Sequence, residues 1–172
     1  VKSLAKMAQD CSRIILCLPD SSTAMSVCHA LFPLLSSDSL IVDCTTNQPL
    51  TVKTLSAKAK EAKLRYVEAP LTGGQQQAEN AELGAIVGCD VEDFKIASAI
   101  LKPCCKQIER FGELGMGATT KLISNLLALG TATLVVEVMK LAREFDVDWE
   151  KFYKLASQGS GHSMSLDRIA PK

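Results

Sequence analysis

Charge of one sign is what this 172-residue chain lacks first: nineteen Lys and Arg balance nineteen Asp and Glu, for a formal net charge of zero. Without a basic stripe, nucleic acid and an anionic membrane surface are poor partners. Histidine is scarce as well. His29 and His162 stand far apart, and none of the seven cysteines forms a C-x-x-C pair. Those gaps exclude the common zinc-site spacings, and no metal is expected. The cysteines are odd in number and several lie inside apolar runs, as buried small hydrophobes do. Free thiols in this number point to a reducing compartment, the cytosol or an organelle matrix. A long uninterrupted apolar run is missing too. The stretch Leu122 to Val136 contains Ser124, Asn125, Gly130, Thr131 and Thr133, and it reads as too short and too polar for a membrane span. No signal peptide is visible. Val1 stands first instead of methionine and Pro171-Lys172 looks like a cut end, so the true termini are expected to lie outside this sequence. There are no internal repeats.

What the chain does have is apolar content, 47%, enough for a buried core and against disorder. Helical spacing of Val1, Leu4, Ala5 and Ala8 predicts the end of a helix over Val1 to Gln9. Ser12 to Leu18 is a continuous apolar run closed by Pro19-Asp20, the pattern of a strand buried on both faces of a parallel sheet. Ser21-Ser22 can cap a helix running through Leu35. Leu40 to Cys44 and Arg65 to Ala69 predict two more strands, with a helix between them that opens at Pro49. Two further strands, Gly84 to Gly88 and Lys106 to Phe111, flank a helix from Val91 to Leu101. Strands alternating with helices of ~10–15 residues mean βαβ units and a doubly wound parallel sheet. After Gly117 only helices follow, from about Ala118 to Phe145 and from about Trp149 to Ala156. A domain boundary is therefore expected near Glu113, separating 1–113 from 114–172.

The most informative stretch is Gly115-Met116-Gly117-Ala118-Thr119-Thr120-Lys121-Leu122-Ile123-Ser124-Asn125. A tight glycine turn opens the long helix, and Lys121 and Asn125, four apart, project from one helical face. Lys121 lies in the first turns, where the helix dipole disfavours another positive charge. A lysine held there and partly desolvated should have a lowered pKa, as a general acid/base near neutral pH needs. Read alone, the same pair could be a solvated surface lysine with a polar neighbour. Ligands of open α/β sheets bind beyond the carboxyl ends of the strands. Here those ends read Leu18-Pro19-Asp20-Ser21, Asp43-Cys44-Thr45-Thr46 and Ala69-Pro70-Leu71-Thr72-Gly73-Gly74. Each alone is ordinary turn chemistry, but the glycines allow close backbone approach, and N–H groups of a helix after Gly74 could hold a carboxylate or phosphate.

Three motifs in order, Asp43-Cys44-Thr45-Thr46-Asn47-Gln48-Pro49, then Glu68-Ala69-Pro70-Leu71-Thr72-Gly73-Gly74, then Gly115-x-Gly117-x-x-x-Lys121-x-x-x-Asn125, run over nearly the whole chain. On them the sequence resembles the β-hydroxyacid dehydrogenase family, which includes 3-hydroxyisobutyrate dehydrogenase and tartronate semialdehyde reductase and is related to 6-phosphogluconate dehydrogenase. The resemblance implies an incomplete Rossmann-type doubly wound sheet followed by the start of an all-helical domain. It also implies an NAD- or NADP-dependent oxidoreductase acting on a small hydroxy acid or its semialdehyde, homo-oligomeric when complete. Lys121 matches the family's catalytic lysine and Asn125 the amide that orients substrate. Thr72, Gly73 and Gly74 match the turn that holds the substrate carboxylate. Leu18 and Pro19 match the strand end against the cofactor, and Thr46 a hydroxyl residue near it. His162 falls in the segment bordering the family's substrate pocket, although it also reads as a plain surface imidazole.

The departures concern the front of the fold. No Gly-x-Gly-x-x-Gly, the family's pyrophosphate turn, occurs in this chain, which implies that a βαβ unit of ~30 residues or more is absent. Gln77 and Ala81 stand where the family usually has glycine. Ser12 to Leu18 is then expected to be an exposed apolar edge, and Leu134, Val135 and Val138 to lose their covering partners. Such a chain alone should self-associate and bind a nicotinamide cofactor weakly. An alternative role is a non-catalytic binding or oligomerisation module that keeps the dehydrogenase fold.

Overall fold

The computed structural model describes residues 3–170; Val1, Lys2, Pro171 and Lys172, and the readings that fall on them, lie outside the described residues. The chain forms two compact units that divide between Leu122 and Ile123. The first holds α1 (Leu4–Asp10), β1 (Arg13–Leu16), α2 (Ser21–Leu31), β2 (Leu40–Asp43), α3 (Pro49–Glu61), β3 (Arg65–Glu68), β4 (Leu71–Thr72), α4 (Gln75–Glu79), β5 (Leu83–Gly88), α5 (Val91–Leu101) and β6 (Cys105–Gly112). It ends in the opening turns of α6 (Met116–Glu144).

β1, β2 and β3 are parallel and end together, with Leu16 opposite Asp43 and Asp43 opposite Glu68. The doubly wound α/β architecture is the one expected, with one addition: the sheet is mixed. β5 runs antiparallel to β3 and β4, and β6 is parallel to β5. The cause is the short link through α4, five residues long. A parallel return needs a crossover of a dozen residues or more, so the chain comes back antiparallel.

Alternation along the strands fills two cores. Ile14, Leu16, Ile41 and Tyr66 pack with Ala24, Cys28 and Leu31 of α2 and with Val52, Leu55 and Ala59 of α3. Leu40, Val42, Val67, Ala85 and Val87 pack with Ala97 and Leu101 of α5. β2 is buried on both faces. β1 is not, contrary to the expectation for its apolar run: Ile14 and Leu16 are buried, but Ile15 is 50% exposed on the uncovered face. Among the described residues β1 pairs only with β2 and so forms an edge. The start of α2 also differs from expectation. Asp20, not Ser21 or Ser22, is the cap, its carboxylate accepting the Thr23 N–H at 2.7 Å. The helix tightens into a 3₁₀ turn at Phe32–Leu34, where Pro33 follows Phe32.

The second unit continues α6 and adds α7 (Trp149–Ala156) and α8 (Met164–Ile169). Its core is small. Val135, Leu166 and Ala170 are buried with Met139, Trp149 and Tyr153 packed around them, and the Trp149 indole N–H donates to the Ala170 carbonyl at 3.1 Å. Val135 therefore has partners after all, whereas Leu134 is exposed. The expectation that Leu122 to Val136 is too short and polar to span a membrane also needs correction. α6 is 29 residues long and, by length and composition, apolar enough to do so, because its interrupting Thr, Ser and Gly residues carry no charge.

Candidate functional site

The carboxyl ends of β1, β2 and β3 are tied by backbone: the Cys44 N–H donates to Leu16 O and the Ala69 N–H to Asp43 O, both at 2.7 Å. Two acids finish two of these strands inside the protein. Asp43, fully buried, accepts the Thr45 N–H on Oδ1 at 2.9 Å, and on Oδ2 the Tyr66 hydroxyl at 2.6 Å and the Asn47 Nδ2 at 2.8 Å. Those bonds fold the Thr45–Asn47 turn back over the end of β2. Burial, followed by the Asp43 charge, pushes the Tyr66 hydroxyl well above its usual range, so it stays a donor.

Glu68, 1% exposed, closes β3. Its Oε1 accepts the N–H groups of Gly115 and Gly117 at 2.5 and 3.0 Å, and its Oε2 accepts that of Ala118 at 2.8 Å. These are donors that the start of a helix leaves without intrahelical partners. Burial raises the carboxyl pKa, against the three N–H groups that lower it. Lys121 follows on α6, 9% exposed, and burial pushes its ammonium below the ordinary lysine range. Its place in the first turns predicts that the helix dipole shares in that shift. In the structure a negative side chain sits on the positive helix end, and desolvation is the cause.

The remaining candidates fall into four places. Leu18 and Pro19 follow β1 at the carboxyl end of the sheet, with the Leu18 N–H donating to Thr45 Oγ1 at 3.1 Å, and Thr46, next along the chain, is exposed. Thr72 ends β4, and Gly73 and Gly74 form the exposed turn that follows it. Gly73 has φ +123°, and a Cβ on it would lie 2.8 Å from Leu83 Cδ2. The Gly74 N–H donates to Gln77 Oε1 at 2.9 Å. No hydrogen bond among the described residues joins this turn to Lys121. Asn125 is half-buried four residues further along α6, and His162 is exposed with its Nε2 2.8 Å from Asp167 Oδ2.

Residues 1–113 match the NAD binding domain of 6-phosphogluconate dehydrogenase, and residues 115–172 match the NAD-binding segment of NADP-dependent 3-hydroxyisobutyrate dehydrogenase. The chain belongs to the β-hydroxyacid dehydrogenase family. Members of this family are oxidoreductases that use NAD or NADP. The chain is 28% identical to an uncharacterized oxidoreductase of Synechocystis, over all of this chain and 60% of that protein. It is also 28% identical to the mitochondrial 3-hydroxyisobutyrate dehydrogenase of Bos taurus, over 99% of this chain and 52% of that one. The fold matches Mycobacterium tuberculosis 3-hydroxyisobutyrate dehydrogenase with L-serine at TM-score 0.90 and 19% identity, over all of this chain and 59% of the other. The chain thus spans about half the length of the curated relatives it matches.

For a family dinucleotide, the residues present fit one end. Leu18 and Pro19 follow the carboxyl end of β1 and Thr46 that of β2, with Pro19 and Thr46 exposed. A pyrophosphate needs close backbone approach at glycine, yet the first glycine of this chain is Gly73. The helix start after β1 is already occupied by the Asp20 carboxylate. The roles of Glu68 and Asp43 at the strand ends, and the Gly74 N–H bond to Gln77, are not among the expectations drawn from sequence. An acid ending an apolar strand was a visible signal, but its partners at Gly115 to Ala118 lie too far along the chain to be paired by spacing.

Proposed function

We propose that this chain is the part of an NAD(P)-dependent dehydrogenase that carries its proton-transfer residue, acting on a small β-hydroxy acid or its semialdehyde. The burial of Lys121 at the head of α6, beside the carboxyl end of the sheet, is the observation that carries this reading. In the oxidising direction its neutral amine takes the hydroxyl proton. In the reducing direction its ammonium returns a proton to the carbonyl oxygen. A pKa below the ordinary lysine range eases the loss of that proton from the ammonium. The nicotinamide, when bound, supplies or accepts hydride at the carbinol or carbonyl carbon. Leu18, Pro19 and Thr46 would lie against that end of the cofactor. Asn125 would orient the hydroxyl, and the Thr72–Gly74 turn would hold the carboxylate once the Gln77 amide oxygen has left the Gly74 N–H. Residues 1–113 serve the cofactor in this reading, and 114–172 begin a helical domain that supports a homo-oligomer in the complete protein. Seven unpaired thiols suit a reducing compartment.

The test uses a protein of the relatives' full length that contains this segment. A panel of small β-hydroxy acids is offered with NAD or NADP, and the absorbance of the reduced cofactor is followed. Accumulation with at least one acid is expected. No accumulation with any acid and either cofactor would overturn the proposal.

A further inference from the structure

We propose that Glu68 is a positioning residue for Lys121: its carboxylate fixes the start of α6 against the end of β3 and so sets the lysine one turn further on. The functional consequence rests on Lys121 being the proton carrier, but the placement itself does not. Both oxygens are engaged, Oε1 by Gly115 and Gly117 and Oε2 by Ala118, so the carboxylate cannot turn without releasing the helix.

Glycines make the room. A Cβ on Gly88 would fall 2.1 Å from Glu68 Oε1, and one on Gly117 would fall 3.0 Å from Glu68 Cδ and 2.8 Å from the Ile86 carbonyl. Gly115 takes φ +100°, a conformation that side chains rarely adopt. The helix start therefore rests directly on the β5 backbone with the carboxylate beneath it. Gly117 and Lys121 are four apart and share a helical face. The face that Glu68 holds down is thus the face that carries Lys121 into its buried position. Local capping by a serine or asparagine would satisfy such N–H groups without burying a charge. An acid reaching in from a different strand fixes the helix to the sheet, which a local cap does not.

The variant Glu68→Gln keeps the volume but turns an amide nitrogen toward at least one N–H. Two quantities are read in the whole chain: hydrogen exchange at the Gly115, Gly117 and Ala118 amides, and titration of Lys121 through its ε-carbon NMR shift. Exchange at those amides is expected to quicken about tenfold or more, the loss of roughly one hydrogen bond. The Lys121 titration should move up, toward that of a solvated lysine. The direction separates the explanations, because losing a nearby negative charge without movement would shift the lysine down. Quicker exchange with Lys121 unmoved or lowered would leave Glu68 as a helix cap only and overturn the proposal. Should Glu68→Gln not fold, Gly117→Ala displaces the helix start with the carboxylate intact, and the same upward movement is expected. No upward movement there overturns the proposal too. Neither readout needs turnover, so a failed dehydrogenase assay would remove the proton-carrier reading and leave this one standing.

Discussion

In the unit ending at Leu122, the large apolar side chains Ile41, Leu55, Val67 and Leu101 are fully buried, whereas Leu126 in the unit beginning at Ile123 is 74% exposed. Leu127, Leu129 and Leu134 share that exposure. The cause is architectural. A sheet offers two apolar faces, and α2, α3 and α5 cover them with close packing. Three helices with a core of Val135, Leu166 and Ala170 have far less to bury. The same division holds for polar groups. Asp43, Glu68 and Lys121 are buried in the first unit, where a rigid surrounding can repay the cost of burying them.

The contrast can be broken most forcefully in the cores. Leu55→Ala should cost about 2–5 kcal/mol in denaturant unfolding, the usual range for a buried leucine. Leu126→Ala should stay within about 0.5 kcal/mol, as exposed positions do. Equal costs would mean that the second unit is covered in solution, and a concentration-dependent cost for Leu126→Ala would identify self-association as the cover.

A smaller effect concerns Glu68 and pH. Burial holds its folded pKa above the ordinary glutamate range, so between the unfolded and folded pKa values the folded state binds more protons than the unfolded state. Its contribution to stability is then fullest below the unfolded pKa and is lost as pH rises through the folded one. Glu68→Gln should flatten that part of the stability–pH curve, measured by unfolding at a series of pH values. An unchanged slope would contradict the burial argument.

The smallest effect is at Ala81, which holds φ +58°, a conformation that costs a residue with a Cβ about 1–2 kcal/mol. Ala81→Gly relieves this but adds chain entropy in the unfolded state, so a gain below about 1 kcal/mol is expected in thermal or chemical unfolding. A loss of stability would show the turn to be unstrained.

Much of the fold was legible because periodicity reports burial. The helices at Val91–Leu101 and Trp149–Ala156 lie where their apolar spacing put them, and Pro49 opens α3 as its fixed φ favours. What the pattern could not carry was partner choice. The apolar run at β1 does not reveal that only one of its faces is covered, and the strand at β5 reads the same in either direction. The likeness of Gly115–Lys121 to the family motif pointed to the lysine, but not to the acid from β3 that fastens the helix beneath it. Ala81 was legible as a departure from a usual glycine, and its positive φ gives that departure a physical meaning.

The most direct measurement is the turnover of Lys121→Met in a protein of the relatives' full length, with a small β-hydroxy acid and NAD or NADP. The account predicts a fall in kcat of about 10²–10⁴, as for a lost general acid/base, with KM little changed. A fall below about tenfold would contradict it, because a proton carrier cannot be removed so cheaply.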